Sequence, residues 1–215
     1  MVTTGRITKV VLAVFGALVV SVVVILLHLW HSEAQARKLT QALASLEVGT
    51  GTIADVHSLQ RQFHRYQVSG EQTSGNVRFA ITNQLLRTLR VQPIAVLSAG
   101  IVARDGKVVS IDFFLERQLA VGGLGAMVLE SLQNSGSCEK SYCVGNPIGK
   151  PFIVSRLDAH ATPEQKRRAF DLNLGWLTRF RGEPRICDLS PNAWEDWKAQ
   201  RPDLVAELQA TYKCH

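Results

Sequence analysis

The chain of 215 residues predicts an α+β fold: one N-terminal transmembrane helix, then an antiparallel sheet of four or five strands packed with N- and C-terminal helices. Three observations predict it. Residues 10–30 carry no charge, and 15 of those 21 are Val, Leu, Ile or Phe. The middle of the chain alternates apolar and polar residues with a period of two around an Asp-Gly turn, the mark of half-buried strands. The last third returns to helical spacing, with a Thr-Pro and a Ser-Pro start.

Twenty-one residues at 1.5 Å each reach about 31 Å, which matches a hydrocarbon core of about 30 Å. His28 and Trp30 fall at its far edge, where amphipathic rings suit the headgroup layer. Arg6 and Lys9 flank the near end; Glu33, Arg37 and Lys38 flank the far end. The short N-terminal tail favours N-inside, because a large following domain is exported regardless of its charge. This divides the chain into a cytoplasmic tail (1–9), a transmembrane helix (10–30), a juxtamembrane helix (31–46) and an extracytoplasmic α+β domain (47–215). A cleaved leader is the rival, since Ala34-Gln35-Ala36 has the small-x-small form of a cleavage site. A type IV pilin leader is excluded: Arg6 and Lys9 intrude after Gly5, and no Glu stands at the fifth position.

All 18 acids and 22 of the 24 Lys and Arg residues follow the span, so that part carries a net charge of +4. Such a mild excess favours an anionic membrane surface or polymer; nucleic acid is not expected. The four cysteines, Cys138, Cys143, Cys187 and Cys214, also follow the span. An even count in an exported segment reads as disulfides, and proximity favours Cys138 with Cys143 and Cys187 with Cys214. The second would close a 28-residue loop, worth about 3.5 kcal/mol in the chain-entropy model. Free thiols and a metal site stay open as alternatives, although C-x4-C with distant His160 and His215 matches zinc spacing poorly. None of the six Asn residues lies in an N-x-[ST] sequon, which suits a bacterial envelope.

Along the exported part, Ala36, Leu39, Leu43 and Leu46 form one helical stripe, either a self-association seam or a face packed on its own domain. Thr50 or Thr52 can cap a helix over 53–66 with Asp55 in its first turn. Val56, Leu59, Phe63 and Tyr66 are its apolar side. Val77, Phe79 and Ile81 alternate as a strand. Asn83 starts a possible helical turn over 84–89, and Pro93 marks the next entry. The hairpin 96–117 turns at Asp105-Gly106. A two-residue turn there sets Val102 opposite Val109, Gly100 opposite Ile111 and Ser98 opposite Phe113. Apolar runs 126–132 and 152–158 read as further strands. Thr162-Pro163-Glu164-Gln165 is a capping box with Pro at the first helical position. It opens a helix with Phe170, Leu174 and Leu177 buried and Lys166, Arg167 and Arg168 in water. Ser190-Pro191 starts a helix bearing Trp194 and Trp197, and Pro202 a last one through Tyr212.

Nothing in these residues assigns a reaction. No P-loop, G-x-G-x-x-G, H-E-x-x-H, EF-hand or G-x-S-x-G occurs, so no catalytic residue, metal site or cofactor is expected. His57 and His64 share a helix face but stand about 10.5 Å apart along it, too far for one ion. Asp158-Ala159-His160 offers an acid and an imidazole at a strand end. Basic residues cluster as Arg61, Arg65, Arg78, Arg87 and Arg90, and again as Lys166, Arg167 and Arg168 with Arg179, Arg181 and Arg185.

Leu46-Glu47-Val48-Gly49-Thr50 leading into Asp55-Val56, and then Asp105-Gly106-Lys107-Val108, resembles the small envelope lipoproteins of the outer-membrane-assembly type, with their β-lactamase-inhibitor-like fold. The resemblance covers residues 46–115. It implies two helices on an antiparallel sheet and action by binding proteins. The lipobox cysteine is missing, and the C-terminal helical segment is extra. The layout, with Phe170-Asp171-Leu172-Asn173-Leu174 before a late Cys187, also resembles uncharacterised single-span exported bacterial proteins. The expectation is therefore a membrane-anchored extracytoplasmic binding or scaffolding module of the bacterial envelope, seated in the inner membrane, with the bilayer and an envelope protein as partners and self-association through the juxtamembrane helix as a further contact. The alternatives are an envelope hydrolase using His57 or His160, and a polyanion or lipid-headgroup binder using the basic clusters.

Overall fold

The computed structural model describes residues 4–70, 75–82, 88, 95–118, 123–132, 138, 140–145, 152–178, 185–206, 209 and 214. Residues 84–89 (except Thr88), Pro93 and residues 135–137 lie outside them, as do Arg87, Arg90, Arg179 and Arg181.

The expected span and juxtamembrane helix are one helix. The 42 residues of α1 (Thr4–Ser45) run without a break, because no Gly, Pro or capping residue interrupts the good helix formers between Trp30 and Ser45. Its two parts differ in what they touch. The helix is long and apolar enough to cross a membrane, and Val10 to Leu27 keep their large side chains exposed, Ile25 alone being half-covered. From Leu29 onward it is docked: Leu29, Ala36, Leu39, Leu43 and Leu46 are buried in the domain's core. The helical stripe thus faces its own domain, the second of the two readings of that pattern.

After α1, Gly49 donates its backbone N–H to the Val108 carbonyl at 2.8 Å. The next helix, α2 (Ile53–Gln62), starts at Thr52, whose hydroxyl and the Asp55 carboxylate complete a reciprocal capping box. It ends earlier than expected, and a 3-10 turn (His64–Tyr66) carries the chain into the sheet.

The sheet has seven strands rather than four or five: β1 (Gln67–Ser69), β2 (Asn76–Thr82), β3 (Ala95–Arg104), β4 (Lys107–Gln118), β5 (Gly123–Ser131), β6 (Tyr142–Gly145) and β7 (Phe152–Asp158). Their spatial order is β1-β2-β3-β4-β5-β7-β6. The two strands missed in the sequence are the edges. At three and four residues they are too short for an alternation to show. The sheet is also not wholly antiparallel, because β7 inserts between β5 and β6 and runs parallel to β5.

The β3–β4 turn is as expected. Asp105 and Gly106 both have positive φ, 51° and 77°, so the turn is the mirror-image type that Gly tolerates freely. The register beyond it is corrected by one residue. Arg104 pairs with Lys107 and Ala103 with Val108, but then a bulge intervenes and Val102 pairs with Ser110. A slip of one residue exchanges the two faces of a strand. The uninterrupted register would set Ile111, Phe113 and Val109 beside Gly100, Ser98 and Val102, and turn Leu97 and Ile101 to the outside. With the bulge at Val109, Ile101 meets Ile111, Ala99 meets Phe113 and Leu97 meets Leu115, all buried.

All helices described pack on one face. The C-terminal layer comprises α3 (Pro163–Ala169), a 3-10 turn (Leu174–Leu177), α4 (Ile186–Leu189) and α5 (Pro191–Gln200). The expected long helix stops at Ala169; Phe170, Leu174 and Leu177 still reach the core, from a bend and a 3-10 turn. Thr162 and Gln165 form the expected capping box, whereas Ser190 makes no side-chain cap. Trp194 and Trp197 are core residues in edge-to-face contact at 5.7 Å. The last segment begins as a 3-10 turn (Pro202–Leu204); Leu208 and Tyr212 lie outside the described residues.

Truncating a side chain in the docked half of α1 should unfold the domain, and truncating one in the free half should not. Leu43→Ala is expected to cost about 2–5 kcal/mol, and Leu26→Ala close to nothing, in urea unfolding of the detergent-solubilised chain followed by tryptophan fluorescence.

Candidate interaction surface

The two basic clusters have different fates. In the second, Lys166 and Arg168 are internal ties rather than water-facing charges. Lys166 Nζ lies 2.7 and 2.9 Å from the Glu130 carboxylate oxygens and also donates to the Leu46 carbonyl. It therefore places a cation against the last carbonyls of α1, where the helix dipole is negative. Burial raises the Glu130 pKa, and Lys166 and the Val48 backbone work against that rise. The Arg168 guanidinium forks onto Asp196 at 2.5 and 3.1 Å, tying α3 to α5. Tyr142, on β6, donates its hydroxyl to the same carboxylate at 2.8 Å, and its own pKa is pushed up first by burial and then by that carboxylate. Only Arg167 of the three is open to water, paired with Glu164 along the helix. Arg185 pairs with Asp188. In the first cluster Arg61, Arg65 and Arg78 are exposed, and Arg87 and Arg90 fall outside the described residues.

The four cysteines form the pairs that proximity favours, Cys138 with Cys143 and Cys187 with Cys214. The first anchors the start of β6 at the sheet edge. The second returns the C-terminus to α4, with Cys214 fully buried in the core.

The histidines are not brought together with free carboxylates. His57 sits half-buried on α2 with no partner on Nε2, while the nearby Asp55 is engaged by Thr52, which lowers its pKa. His64 is exposed and contacts the Arg61 carbonyl through Nδ1 at 3.2 Å. His160 is exposed after β7, and Asp158 accepts from its backbone N–H rather than its ring. Among the described residues no three His, Cys, Asp or Glu side chains gather as a metal site would need. A groove of about 400 Å³ lies between the end of α1 and α2. Its carboxylates, Glu47 and Asp55, are already held by Thr50 and Thr52.

The feature that sequence reasoning missed is the other face of the sheet. Strand pairing aligns its residues in rows. One row reads Arg78, Gly100, Asp112, Leu129, Arg156 and Cys143. The next reads Ala80, Ser98, Phe114, Met127, Val154 and Gly145. A third, at the end nearer the span, reads Thr82, Val96, Glu116, Gly125 and Phe152. Val96, Phe114, Met127, Leu129, Phe152 and Val154 make this face apolar; Val154 is buried and the other five are half-buried, and none of them belongs to the core cluster on the helical side. Phe114 and Phe152 stack on each other at 5.3 Å. Glycine keeps the surface low. A Cβ at Gly100 would stand 2.3 Å from the Asp112 carboxylate, and one at Gly125 would stand 2.3 Å from the Phe152 ring, so both side chains lie flat over backbone. No described helix covers this face. Its legible signal was the apolar out-facing residues of β5 and β7, which a one-sided sheet would have made polar.

Both sheet edges are blunted. β1 is short and irregular in register. On β6 the outward Val144 N–H is taken by the Gln200 side chain of α5 at 3.0 Å. The usual negative devices of edge strands, brevity and cover, are in place at both.

No family model, no curated protein and no solved structure matches this chain.

Two expectations follow. Removing one partner of the buried Lys166–Glu130 pair strands the other charge, so Lys166→Ala and Glu130→Ala should each cost about 3–5 kcal/mol, whereas the double variant Glu130→Leu with Lys166→Met should recover most of it; urea midpoints measure this. Replacing Cys187 and Cys214 together by Ala should cost about 2–5 kcal/mol, read as a fall in thermal midpoint without reductant.

Proposed function

We propose that the chain is a membrane-anchored extracytoplasmic binding or scaffolding module of the bacterial cell envelope, acting by contact rather than by chemistry. The observation that carries the reading is the flat, apolar, half-buried sheet face that no described helix covers. An apolar patch of this kind on a folded domain marks an interaction site. The edge of the sheet, the other surface through which such a domain could recruit a partner, is closed at both ends by short or covered strands. The partner is thus expected on the face.

The location rests on two features: the exposed apolar half of α1 and the two disulfides, since disulfides persist outside the reducing cytosol. An N-inside orientation with the domain in the periplasm satisfies both. α1 passes from the span into the domain core with no linker, so the domain stands directly on the bilayer surface.

A photo-crosslinking residue placed at Phe114 in cells should yield a discrete protein adduct in native membranes, and the same residue at Ser58, exposed on α2 across the domain, should not. Equal labelling at both sites, or at neither, would remove the face as the contact. A C-terminal alkaline phosphatase fusion should be active, and a cytosolic-only reporter silent, if the domain is outside.

A further inference from the structure

Resting on that reading, we infer that the occupant of the outer sheet face is a second copy of this chain, docked face to face about a two-fold axis that passes along β5. Four observations converge on it.

The first is direction. The end of α1 bonds to the hairpin tip, through Gly49 and Val108. Its Glu33 bonds to Thr178 at 2.9 Å, next to the turn whose Trp176 lies 5.0 Å from the Arg117 guanidinium. Val108 and Arg117 are near the two ends of β4, so α1 runs alongside that strand. The sheet face therefore stands upright on the membrane, parallel to the transmembrane helix. Two copies inserted with the same orientation can bring these faces together by a rotation about the membrane normal. No bending of the anchor is needed.

The second is self-complementarity. A two-fold along β5 sets each residue of β4 against one of β7 at the same height. In the mixed row, Asp112 of one copy then faces Arg156 of the other, twice. With sheets about 10 Å apart, that gap suits an Arg–Asp pair. Neither the Asp112 carboxylate nor the Arg156 guanidinium has an ion pair among the described residues. In the apolar row Phe114 faces Val154. Met127 and Leu129 meet their own copies on the axis. An axis along β4 instead would oppose Arg78 to Arg156, two like charges.

The third is shape. Gly100 and Gly125 let Asp112 and Phe152 lie flat, and flat aligned faces are what two sheets need to pack at that spacing. The fourth is size. Six strands at about 4.8 Å, carrying the three rows named above, give a face of roughly 550 Å², below the ~800 Å² each partner contributes to a standard interface and of the size that weaker contacts use.

The test is crosslinking of the full-length chain in native membranes. Its four cysteines are paired, so a single added cysteine reports alone. Met127→Cys and Leu129→Cys should each give a dimer with a short bis-maleimide, because facing sheets hold their backbones farther apart than a disulfide reaches, and Ser58→Cys should not. In the Met127→Cys background, Asp112→Arg should lower the dimer yield about tenfold, and adding Arg156→Asp should restore it. Recovery by the exchanged pair separates lost docking from lost folding. A Met127→Cys chain captured only on a different protein would overturn self-docking and leave the binding-module reading standing. A chain captured on nothing would overturn both. Failure of the charge exchange to restore the dimer would overturn the axis and with it the proposal.

Discussion

The docking of the second half of α1 into the domain is the constraint on which the rest depends. Leu39 and Leu43 are fully buried there, alongside Phe63 just after α2, Phe79 of β2 and Phe113 of β4. The helix that is long and apolar enough to span a membrane is thus also a central piece of the hydrophobic core, and among the described residues no other helix exceeds 10 residues. Lys166 closes the arrangement by placing its ammonium at the end of α1 and pairing with Glu130 of β5. That one side chain joins the anchor, the sheet and the C-terminal helical layer. Its cost in desolvation is offset by the Glu130 carboxylate and the Leu46 carbonyl.

A one-sided architecture follows. The helical layers compete for the face that α1 occupies, and the Arg168–Asp196–Tyr142 cluster fastens the C-terminal layer to β6 on that same side. The opposite face has no covering helix among the described residues. Its apolar character is the ground of the docking proposed above, since a sheet that merely faces water carries polar residues there.

Much of this was legible in the sequence. The uncharged run, the Asp-Gly turn, the Thr162 capping box and the cysteine pairing all rest on local chemistry, and all stand in the structure. What local chemistry could not reach was decided by tertiary packing. The bulge at Val109 is invisible to a two-residue turn rule, because it is set by the need to bury Leu97 and Ile101 two or more strand positions away. The insertion of β7 beside β5 depends on a pairing across a loop and a disulfide. The role of Lys166 and Arg168 was hidden for the same reason: their partners, Glu130 and Asp196, are 36 and 28 residues distant. A run of three bases reads as a wet surface until those distant acids are known. The candidate surface was missed because strands were read for what they bury and not for what they leave out.

The Gln200 side chain on the Val144 N–H has a wider implication. A domain carried on a membrane-spanning helix would be crowded in two dimensions, its copies upright and at equal height, an arrangement suited to growing a ribbon strand upon strand. The amide on Val144 blocks the β6 end of that route. Contact between such molecules is thereby turned from backbone to side chains.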